Sequence, residues 1–270
     1  MKHHGLRATV HTLLLSLTVI FLTAGSVLAV SQLISKKIEV KSYPQGIPAT
    51  ADELHALSVR TKNNIDFPSS PSLPSKQQKQ ELDQLVEFAD TFGYNAIFFE
   101  AVSECDAFYQ SKLLPSSAYW TGRQGGFTFF DPLKYLTNLS KEHGIQVYAV
   151  IDPFTAPQQE ADTKSPAAKH PDWVTNGYLN PAEPGVQKLA GKIVDELTSN
   201  YDIAGVVLSG VDNNSYYQDV PGYSDCVARL ASHAYDAIQH KDIQRLGMVI
   251  NSGAIASESL PNIAETPVKK

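Results

Sequence analysis

The sequence predicts an α/β fold in which parallel strands alternate with helices. Amphipathic stretches with apolar residues three or four positions apart separate short, continuous apolar runs, and this alternation is typical of a parallel sheet buried on both faces. Of the 270 residues, 43% are hydrophobic and 19% are charged, which excludes a disordered chain. We therefore expect a globular protein with a sizeable apolar core.

The predicted units follow one another along a domain over residues 55–258, which precedes a tail over residues 259–270. The predicted strands cover about residues 57–61, 96–99, 145–151, 203–208 and 246–250. The predicted helices cover about residues 75–92, 131–143, 183–199 and 223–240.

Two of these helices begin with recognisable capping residues. Ser75 and Gln78 have the spacing of a capping box, in which two side chains satisfy the first free amides of a helix. Asp131 and Pro132 are typical N-cap and first-turn residues. The helix boundaries are therefore predicted from local chemistry as well as from periodicity.

Two architectures are compatible with this order of elements. An open doubly wound sheet is complete with five strands, but the glycine-rich phosphate loop that usually follows its first strand is absent. A barrel needs eight strand and helix units and roughly 250 residues, more than this domain offers. Periodicity alone leaves both architectures open.

The chain begins with a predicted membrane anchor or signal segment over residues 1–38, followed by a linker over residues 39–54. No residue from Thr12 to Ser35 is charged, and the run is long enough to cross a bilayer. Small residues ending at Ala29 also suit cleavage by a signal peptidase, which would release the domain as a secreted protein. In either case we expect the domain to lie outside the cytoplasm.

The charge balance argues against a nucleic-acid partner. The chain has 22 Lys and Arg against 28 Asp and Glu, a formal net charge of −6. All four charged residues of the segment 1–38 are basic, so the domain itself is still more acidic. A strongly acidic surface does not attract phosphates. Cys105 and Cys226 are too few for a disulfide framework, and a single disulfide between them stays open.

Carboxylates follow the predicted strands, at the sheet edge where α/β folds bind ligands. Glu104 comes after the second strand, Asp152 after the third and Asp212 after the fourth. Glycoside hydrolysis needs two carboxyl groups, and placement alone favours Glu104 with Asp152. The alternative is structural, because acidic residues at strand ends also cap helices and bind loop amides.

Aromatic residues are concentrated in the loops on the same side of the fold, where flat rings beside carboxylates suit pyranose rings. The predicted substrate-binding residues are Asp106, Tyr109, Trp120, Phe154, Trp173 and Asn180. The same loops also contain Tyr119, Phe127, Phe129, Phe130, Tyr178, Tyr216 and Tyr217. The alternative is that long loops use such rings to build small cores of their own.

The sequence predicts no metal site and no cofactor. His170 has no partner at the spacing of a metal site. Ser209 lacks the leading glycine of a nucleophile elbow, which argues against a serine hydrolase.

Short motifs spread over about residues 55–252 resemble the bacterial glycosyl-hydrolase-like family 10 domain, a group of glycosidases on an eight-stranded barrel. These motifs are Asn64-Ile65-Asp66-Phe67-Pro68-Ser69, Gly93-Tyr94-Asn95-Ala96, Asp106-Ala107-Phe108-Tyr109, Asp131-Pro132-Leu133, His170-Pro171-Asp172-Trp173-Val174 and Leu179-Asn180-Pro181. The resemblance implies a partial (β/α)8, TIM-type barrel with about five βα units after an N-terminal hydrophobic helix.

The departures from the family pattern bear on activity. The family typically carries Arg and Pro where this chain has Val102 and Ser103. The adjacent acidic pair that the resemblance implies at the end of the fourth strand is replaced by Ser209 and Gly210. By this resemblance, the catalytic acid is missing.

Three functions follow from these observations. The first is a noncatalytic, membrane-tethered relative of a glycosidase that binds cell-wall glycan or another polysaccharide. The second is an active glycosidase that uses Glu104, Asp152 and Asp212. The third is a protein-interaction module at the membrane. A partial barrel also leaves open sheet edges, through which the chain is expected to self-associate unless they are covered.

Overall fold

The computed structural model describes residues 54–157, 161–211 and 220–238, together with the backbone of residues 245–248. The strands are β1 (Ala56–Val59), β2 (Ala96–Ser103), β3 (Asp106–Ala107), β4 (Gln146–Ile151), β5 (Val174–Thr175), β6 (Tyr178–Leu179), β7 (Gly205–Leu208) and β8 (Arg245–Met248). The helices are α1 (Ser75–Thr91), α2 (Ala118–Thr121), α3 (Pro132–Glu142), α4 (Pro166–Lys169), α5 (Pro184–Asn200) and α6 (Tyr223–Ile238).

The main sheet has the strand order β1-β2-β4-β7-β8, and all of these strands run parallel. β3 folds back antiparallel onto the end of β2, while β5 and β6 form a separate two-stranded sheet. The prediction of an α/β fold with a parallel sheet is therefore confirmed. Each of these parallel strands lies beside the parallel strand that precedes it in the chain, always on the same side, so the strand order never reverses.

The main core lies between this sheet and the helices. Val59, Phe99, Ala149 and Val206 form one row across the four adjacent strands, and none is more than 2% exposed. The helices contribute the buried side chains of Leu82, Val86, Leu133, Leu136, Val186, Ala190, Val194, Val227 and Leu230. The apolar faces of the helices and the buried side chains of the strands therefore pack against each other in one layer.

The opposite face of the sheet carries a smaller apolar cluster. Tyr148 and Val207 are buried there, and Phe98 and Val150 are partly buried. The rings of Phe98 and Tyr148 meet edge to face with centroids 5.1 Å apart. This face is therefore apolar even though the helices pack on the other one.

The helices occur where periodicity predicts them, but one capping prediction is wrong. Asp131 caps α3, since its side chain accepts a hydrogen bond from the Lys134 amide at 2.9 Å. The capping box does not form, because Ser75 is already the first residue of α1. Pro74 takes the N-cap position and makes no side-chain hydrogen bond to the helix. The Gln78 amide instead donates to the Leu73 carbonyl.

Two long connections leave the carboxyl ends of the strands, residues 104–131 after β2 and residues 152–183 after β4. A buried carboxylate fixes the first of them to α5. Glu196 accepts hydrogen bonds from the Tyr109 hydroxyl at 3.0 Å, the Ser111 hydroxyl at 2.5 Å and the Lys112 amide at 2.6 Å. The loop that carries the candidate site is thereby held against a core helix.

The predicted anchor or signal segment, residues 1–38, and the linker lie outside the described residues. Among the helices that the structure does describe, none is both long and apolar enough to span a bilayer.

Candidate functional site

The site begins with a tight turn between β2 and β3. Ser103 pairs with Asp106, so Glu104 and Cys105 are the two central residues of a hairpin turn. Both have positive φ, 47° and 57°, as the type I′ geometry of such turns requires. Residues with a Cβ atom are strained in this region, and such strain is concentrated at functional sites. The turn places the Glu104 side chain at the carboxyl end of the sheet.

Glu104 is a buried carboxylate with a cationic partner. The residue is only 5% exposed, and its Oε1 lies 3.1 Å from the Lys62 Nζ, which comes from the short helix Lys62–Asn64 after β1. The Tyr119 hydroxyl donates to the other carboxylate oxygen at 3.3 Å. An ion pair with a largely buried partner is screened less than a surface pair, so it contributes to holding Glu104 in place.

Asp106 lies two residues further on and is 1% exposed. Burial raises the pKa of Asp106 to about 8, although hydrogen bonds from Gln124, Ser117 and the Ala118 amide favour the ionised form. Its Oδ1 accepts no hydrogen bond from any described residue. An unpartnered buried carboxyl oxygen is rare in folded proteins, and the protonated form that the raised pKa favours is the one that tolerates such burial.

Gln124 connects the Glu104 main chain and the Asp106 carboxyl group to the neighbouring loop. Its amide nitrogen lies 3.1 Å from the Glu104 carbonyl oxygen and 3.2 Å from the Asp106 Oδ2, and donates to both. Its carbonyl oxygen accepts from the Asp162 amide at 2.8 Å. Asn64 in turn donates to the Tyr119 carbonyl at 2.8 Å. Hydrogen bonds therefore join the segments that follow β1, β2 and β4 to one another at this site.

These residues line a cavity of about 440 Å³. Its polar lining includes Glu104, Asp106, Tyr119, Arg123, Gln124 and Asp162. Carboxylates accept hydrogen bonds, guanidinium and amide groups donate them, and a sugar hydroxyl does both. The cavity therefore offers the mixed chemistry that a polyhydroxylated ligand requires.

Asp152, the predicted partner of Glu104, is not among the described residues that line this cavity. Its Oδ1 accepts from the amides of Phe154 and Thr155 at 3.0 Å, and its Oδ2 accepts from the Thr155 hydroxyl at 2.5 Å. Both oxygens are thus used by the loop of Asp152 itself, as in an Asx turn. The structure brings Glu104 together with Asp106 rather than with Asp152.

The end of β7 carries no acidic side chain at the two positions next to the strand. The Ser209 amide donates to the Ile151 carbonyl at 2.9 Å. Gly210 has a φ of 69°, and a Cβ atom there would lie 3.0 Å from the Asp152 carboxyl group. A side chain at position 210 would therefore begin in close contact with the Asp152 carboxyl group. Asp212, the third predicted carboxylate, lies outside the described residues.

Most of the predicted aromatic residues are packed inside the protein. Tyr109 is 1% exposed and bonded to Glu196, and Phe154 is fully buried. Trp120 is 2% exposed and packs against Phe108 and Phe130, with ring centroids 6.2 Å away from each. These side chains offer no free ring face to a sugar, and they build the core of the loops.

Trp173 and Asn180 stabilise the second long connection. The Trp173 indole stacks on the His170 ring with centroids 3.8 Å apart, and it also lies so close to Gly185 that a Cβ atom there would collide with it. The Asn180 Oδ1 accepts from the Ala182 amide at 3.0 Å. Neither residue is among those that line the cavity.

The thiols do not extend this site. Cys105 and Cys226 are both buried and free, so the disulfide between them does not form. Burial raises the pKa of Cys105 far above its usual range, and the carboxylates of Asp106 and Asp152 add to the effect. Among residues 54–157, 161–211 and 220–238, no group of three or more His, Cys, Asp or Glu side chains is arranged to hold a metal ion.

Sequence reasoning missed Lys62, Gln124 and Asp162. Gln124 lies in a loop without periodicity, and nothing in its neighbours along the chain indicates contact with Asp106. Lys62 is an ordinary charged residue until the fold brings it to Glu104. Tyr119 was noted only as one of many loop aromatics.

Comparison with known proteins agrees with the resemblance seen in the sequence. Residues 53–240 match the family model described as glycosyl hydrolase-like 10. The glycosyl hydrolase YngK of Bacillus subtilis is 33% identical over 177 residues, which are 62% of this chain and 35% of that protein. The glycosyl hydrolase DigH of Escherichia coli K12 is 27% identical over 203 residues, 65% of this chain and 45% of that protein.

The chain thus spans less than half the length of the curated relatives that it matches. Among solved structures, a family 20 exo-β-N-acetylglucosaminidase from Vibrio harveyi is similar, with 14% identity and a TM-score of 0.49 over 72% of this chain and 35% of that one. An identity of 14% and a TM-score below 0.5 do not identify a family. Family membership is decided by the match of residues 53–240 to the family model alone.

Proposed function

Because the chain belongs to the glycosyl hydrolase-like 10 family, we propose that it is a glycoside-hydrolase-like protein that binds cell-wall glycan or another polysaccharide without cleaving it. The observation that carries this proposal is the end of β7. Where the resemblance implies an acidic pair, the chain has Ser209 and Gly210, and the Asp152 carboxyl group lies 3.0 Å from where a Cβ atom on Gly210 would be. Even a shift of about 1 Å in a catalytic group costs about a hundredfold in rate.

The cavity supports glycan binding. Glu104 and Asp106 supply carboxyl groups, Gln124 and Arg123 supply donors, and all four line the same volume of about 440 Å³. This arrangement holds a ligand whether or not a bond is broken.

The proposed architecture is a partial (β/α)8 barrel. The parallel strands always join the same edge of the sheet. Connections between parallel strands are nearly always right-handed, and with this strand order they place the helices on one face, as in a barrel, whereas a doubly wound sheet reverses its order. The small apolar cluster of Phe98, Tyr148 and Val150 then corresponds to the inside of the barrel. Strand β1 would be an open edge, through which self-association is proposed.

The proposed location is outside the cytoplasm, with the domain held at the membrane by residues 1–38. The support is the uncharged run from Thr12 to Ser35 behind a basic start. Cleavage after Ala29 would instead give a secreted protein.

A second candidate function is an active glycosidase that uses Asp106 and Glu104. The raised pKa of Asp106, about 8, keeps its carboxyl group protonated near neutral pH, as the general acid of a glycosidase must be. Glu104, paired with Lys62, would be the second carboxyl group. This pair replaces the predicted pair of Glu104 and Asp152, because both Asp152 oxygens are bonded within their own loop.

The test of glycan binding is a pull-down of the full chain, kept soluble with mild detergent, on isolated peptidoglycan and a panel of insoluble polysaccharides. We expect retention on at least one glycan, and we expect Glu104→Gln and Asp106→Asn to weaken it. The matched control is Glu87→Gln, which removes the charge of an exposed carboxylate on α1 and should leave retention unchanged. No retention on any glycan would contradict the proposal and favour a protein partner at the membrane.

A further inference from the structure

Phe127 and Phe129 are the most exposed large apolar side chains among the described residues, at 77% and 83%. Their rings lie next to each other, with centroids 5.0 Å apart and planes at 83°. Two neighbouring phenylalanines that gain nothing from the core present a concentrated apolar surface to solvent. Such surfaces in folded domains commonly mark a binding site.

The pair follows directly from the wall of the cavity. Arg123 and Gln124 line the cavity, and Phe127 comes three residues after Gln124. Helix α3 runs back from the carboxyl end of the sheet and begins at Pro132, so the segment 127–129 lies at that same end. The exposed rings therefore lie at the same end of the sheet as the polar cavity and close to its wall along the chain.

The segment is fixed on both sides. Before the pair, the Gly125 amide donates to the Ser116 carbonyl at 2.8 Å, and the Ser116 hydroxyl donates to the Gly126 carbonyl at 2.6 Å. After the pair, the Phe130 ring packs edge to face on Trp120. A surface that is already ordered loses little conformational entropy when a ligand binds to it.

We propose that Phe127 and Phe129 form a stacking surface for the pyranose rings of a glycan chain whose neighbouring residues occupy the cavity. This proposal rests on the proposed function and adds the path that the bound glycan takes across the protein surface. A pyranose ring has apolar C–H faces and polar edges, so rings next to carboxylates and amides match both parts of it. An anionic lipid surface fits less well, because the chain is acidic overall.

The chain provides a matched control pair. Phe88 and Phe92 are each 46% exposed, and their ring centroids are 4.5 Å apart. They lie at the end of α1 that leads into the start of β2, the opposite end of the sheet from the cavity. Changing them removes the same kind of apolar surface without touching the proposed glycan path.

The experiment measures binding of the full chain to chitohexaose, cellohexaose and isolated peptidoglycan. We expect the Phe127→Ala/Phe129→Ala variant to raise the dissociation constant of a bound glycan by about tenfold or more, as the loss of central aromatic contacts does. The Phe88→Ala/Phe92→Ala variant should bind like the wild type. Both pairs lie at the surface, although Phe88 also stacks on Tyr94 with ring centroids 6.2 Å apart, so near-ultraviolet circular dichroism verifies that each variant keeps the wild-type fold.

The outcomes separate the two proposals. If the wild type binds glycan and the Phe127→Ala/Phe129→Ala variant binds equally well, the stacking surface is wrong and the proposed function stands. If the wild type binds none of the three probes, both are overturned. A Phe127→Trp variant provides a second measurement: its emission should shift to the blue on addition of bound glycan, and a shift only with phosphatidylcholine vesicles would overturn the stacking surface in favour of membrane contact.

Discussion

The carboxyl group of Asp152 lies against Gly210, 3.0 Å from where a Cβ atom on that glycine would be. The contact joins the loop after β4 to the end of β7. Two features favour glycine at this position: a φ of 69° is rare for other residues, and a Cβ atom would contact the Asp152 carboxyl group more tightly than nearly all Cβ atoms contact their neighbours. The end of β7, where the family resemblance implies an acidic pair, is therefore packed against a carboxylate from the loop after the neighbouring strand β4.

We predict that Gly210→Ala lowers the free energy of unfolding by more than Gly93→Ala does. Gly93 has a similar φ of 73°, but a Cβ atom there would meet nothing within 4 Å. Both variants bear the left-handed backbone cost of about 1–2 kcal/mol. Gly210→Ala adds overpacking of about 1–3 kcal/mol. Urea unfolding of both variants measures the difference, and combining Gly210→Ala with Asp152→Ala should remove the excess. Equal losses at the two glycines would contradict the contact.

The stability of the protein should depend on pH through Asp106. Burial raises the pKa of Asp106 from 3.8 to about 8, so between these values the folded state holds a proton that the unfolded state has lost. The carboxyl group therefore makes the free energy of unfolding fall as pH rises across this window, by about 1.4 kcal/mol per pH unit at most.

Asp106→Asn removes this titration while keeping the shape of the side chain. We expect the variant to gain stability relative to the wild type as pH rises from about 4 to about 8. Urea unfolding at a series of pH values gives the comparison. A difference between the two proteins that stays constant across this range would show that Asp106 titrates near its ordinary value.

The ion pair of Lys62 and Glu104 should contribute more to stability than the surface pair of Lys141 and Asp202. The Glu104 side chain is 7% exposed, whereas the Lys141 and Asp202 side chains are 74% and 64% exposed. Lys62→Met leaves a buried carboxylate without its partner, which should cost about 1–3 kcal/mol after allowing for the partial exposure of Lys62. Lys141→Met should have no measurable effect. Equal effects in urea unfolding would mean that the Lys62 pair is also screened by solvent.

The strands and helices were predictable because each depends on neighbours along the chain. The apolar runs that became β4 and β7 and the N-cap at Asp131 needed no knowledge of the rest of the fold. Strand order was not predictable, since the same periodicity suits a doubly wound sheet and a barrel. It becomes visible only when β1, β2, β4, β7 and β8 are seen side by side.

The candidate site was only partly predictable for a related reason. Glu104 and Asp106 follow a strand, and that position indicated their place at the sheet edge. The sequence could not tell which aromatic residues are buried: Trp120 fills the loop core, while Phe127, a few positions on, is 77% exposed. That difference depends on Phe108 and Phe130, which pack on Trp120 from elsewhere in the same long loop.

Glu196 should hold the long loop over residues 104–131 in place. Glu196→Gln puts an amide nitrogen among three donors, from Tyr109, Ser111 and Lys112, so at least one buried group loses its acceptor. We expect a loss of about 1–3 kcal/mol in unfolding free energy and faster amide exchange at Lys112. Glu142→Gln, at an exposed position on α3, is the control. Unchanged exchange at Lys112 would mean that other contacts order the loop.

The measurement that tests the account most directly is release of reducing sugar by the full chain during incubation with a glycan that it retains. The absence of an acidic pair after β7 predicts that the chain retains the glycan and releases no reducing sugar from it. The Glu104→Gln and Asp106→Asn variants should release none either. Sugar release by the wild type that disappears in Asp106→Asn would contradict the account and show that Asp106 and Glu104 form an active pair.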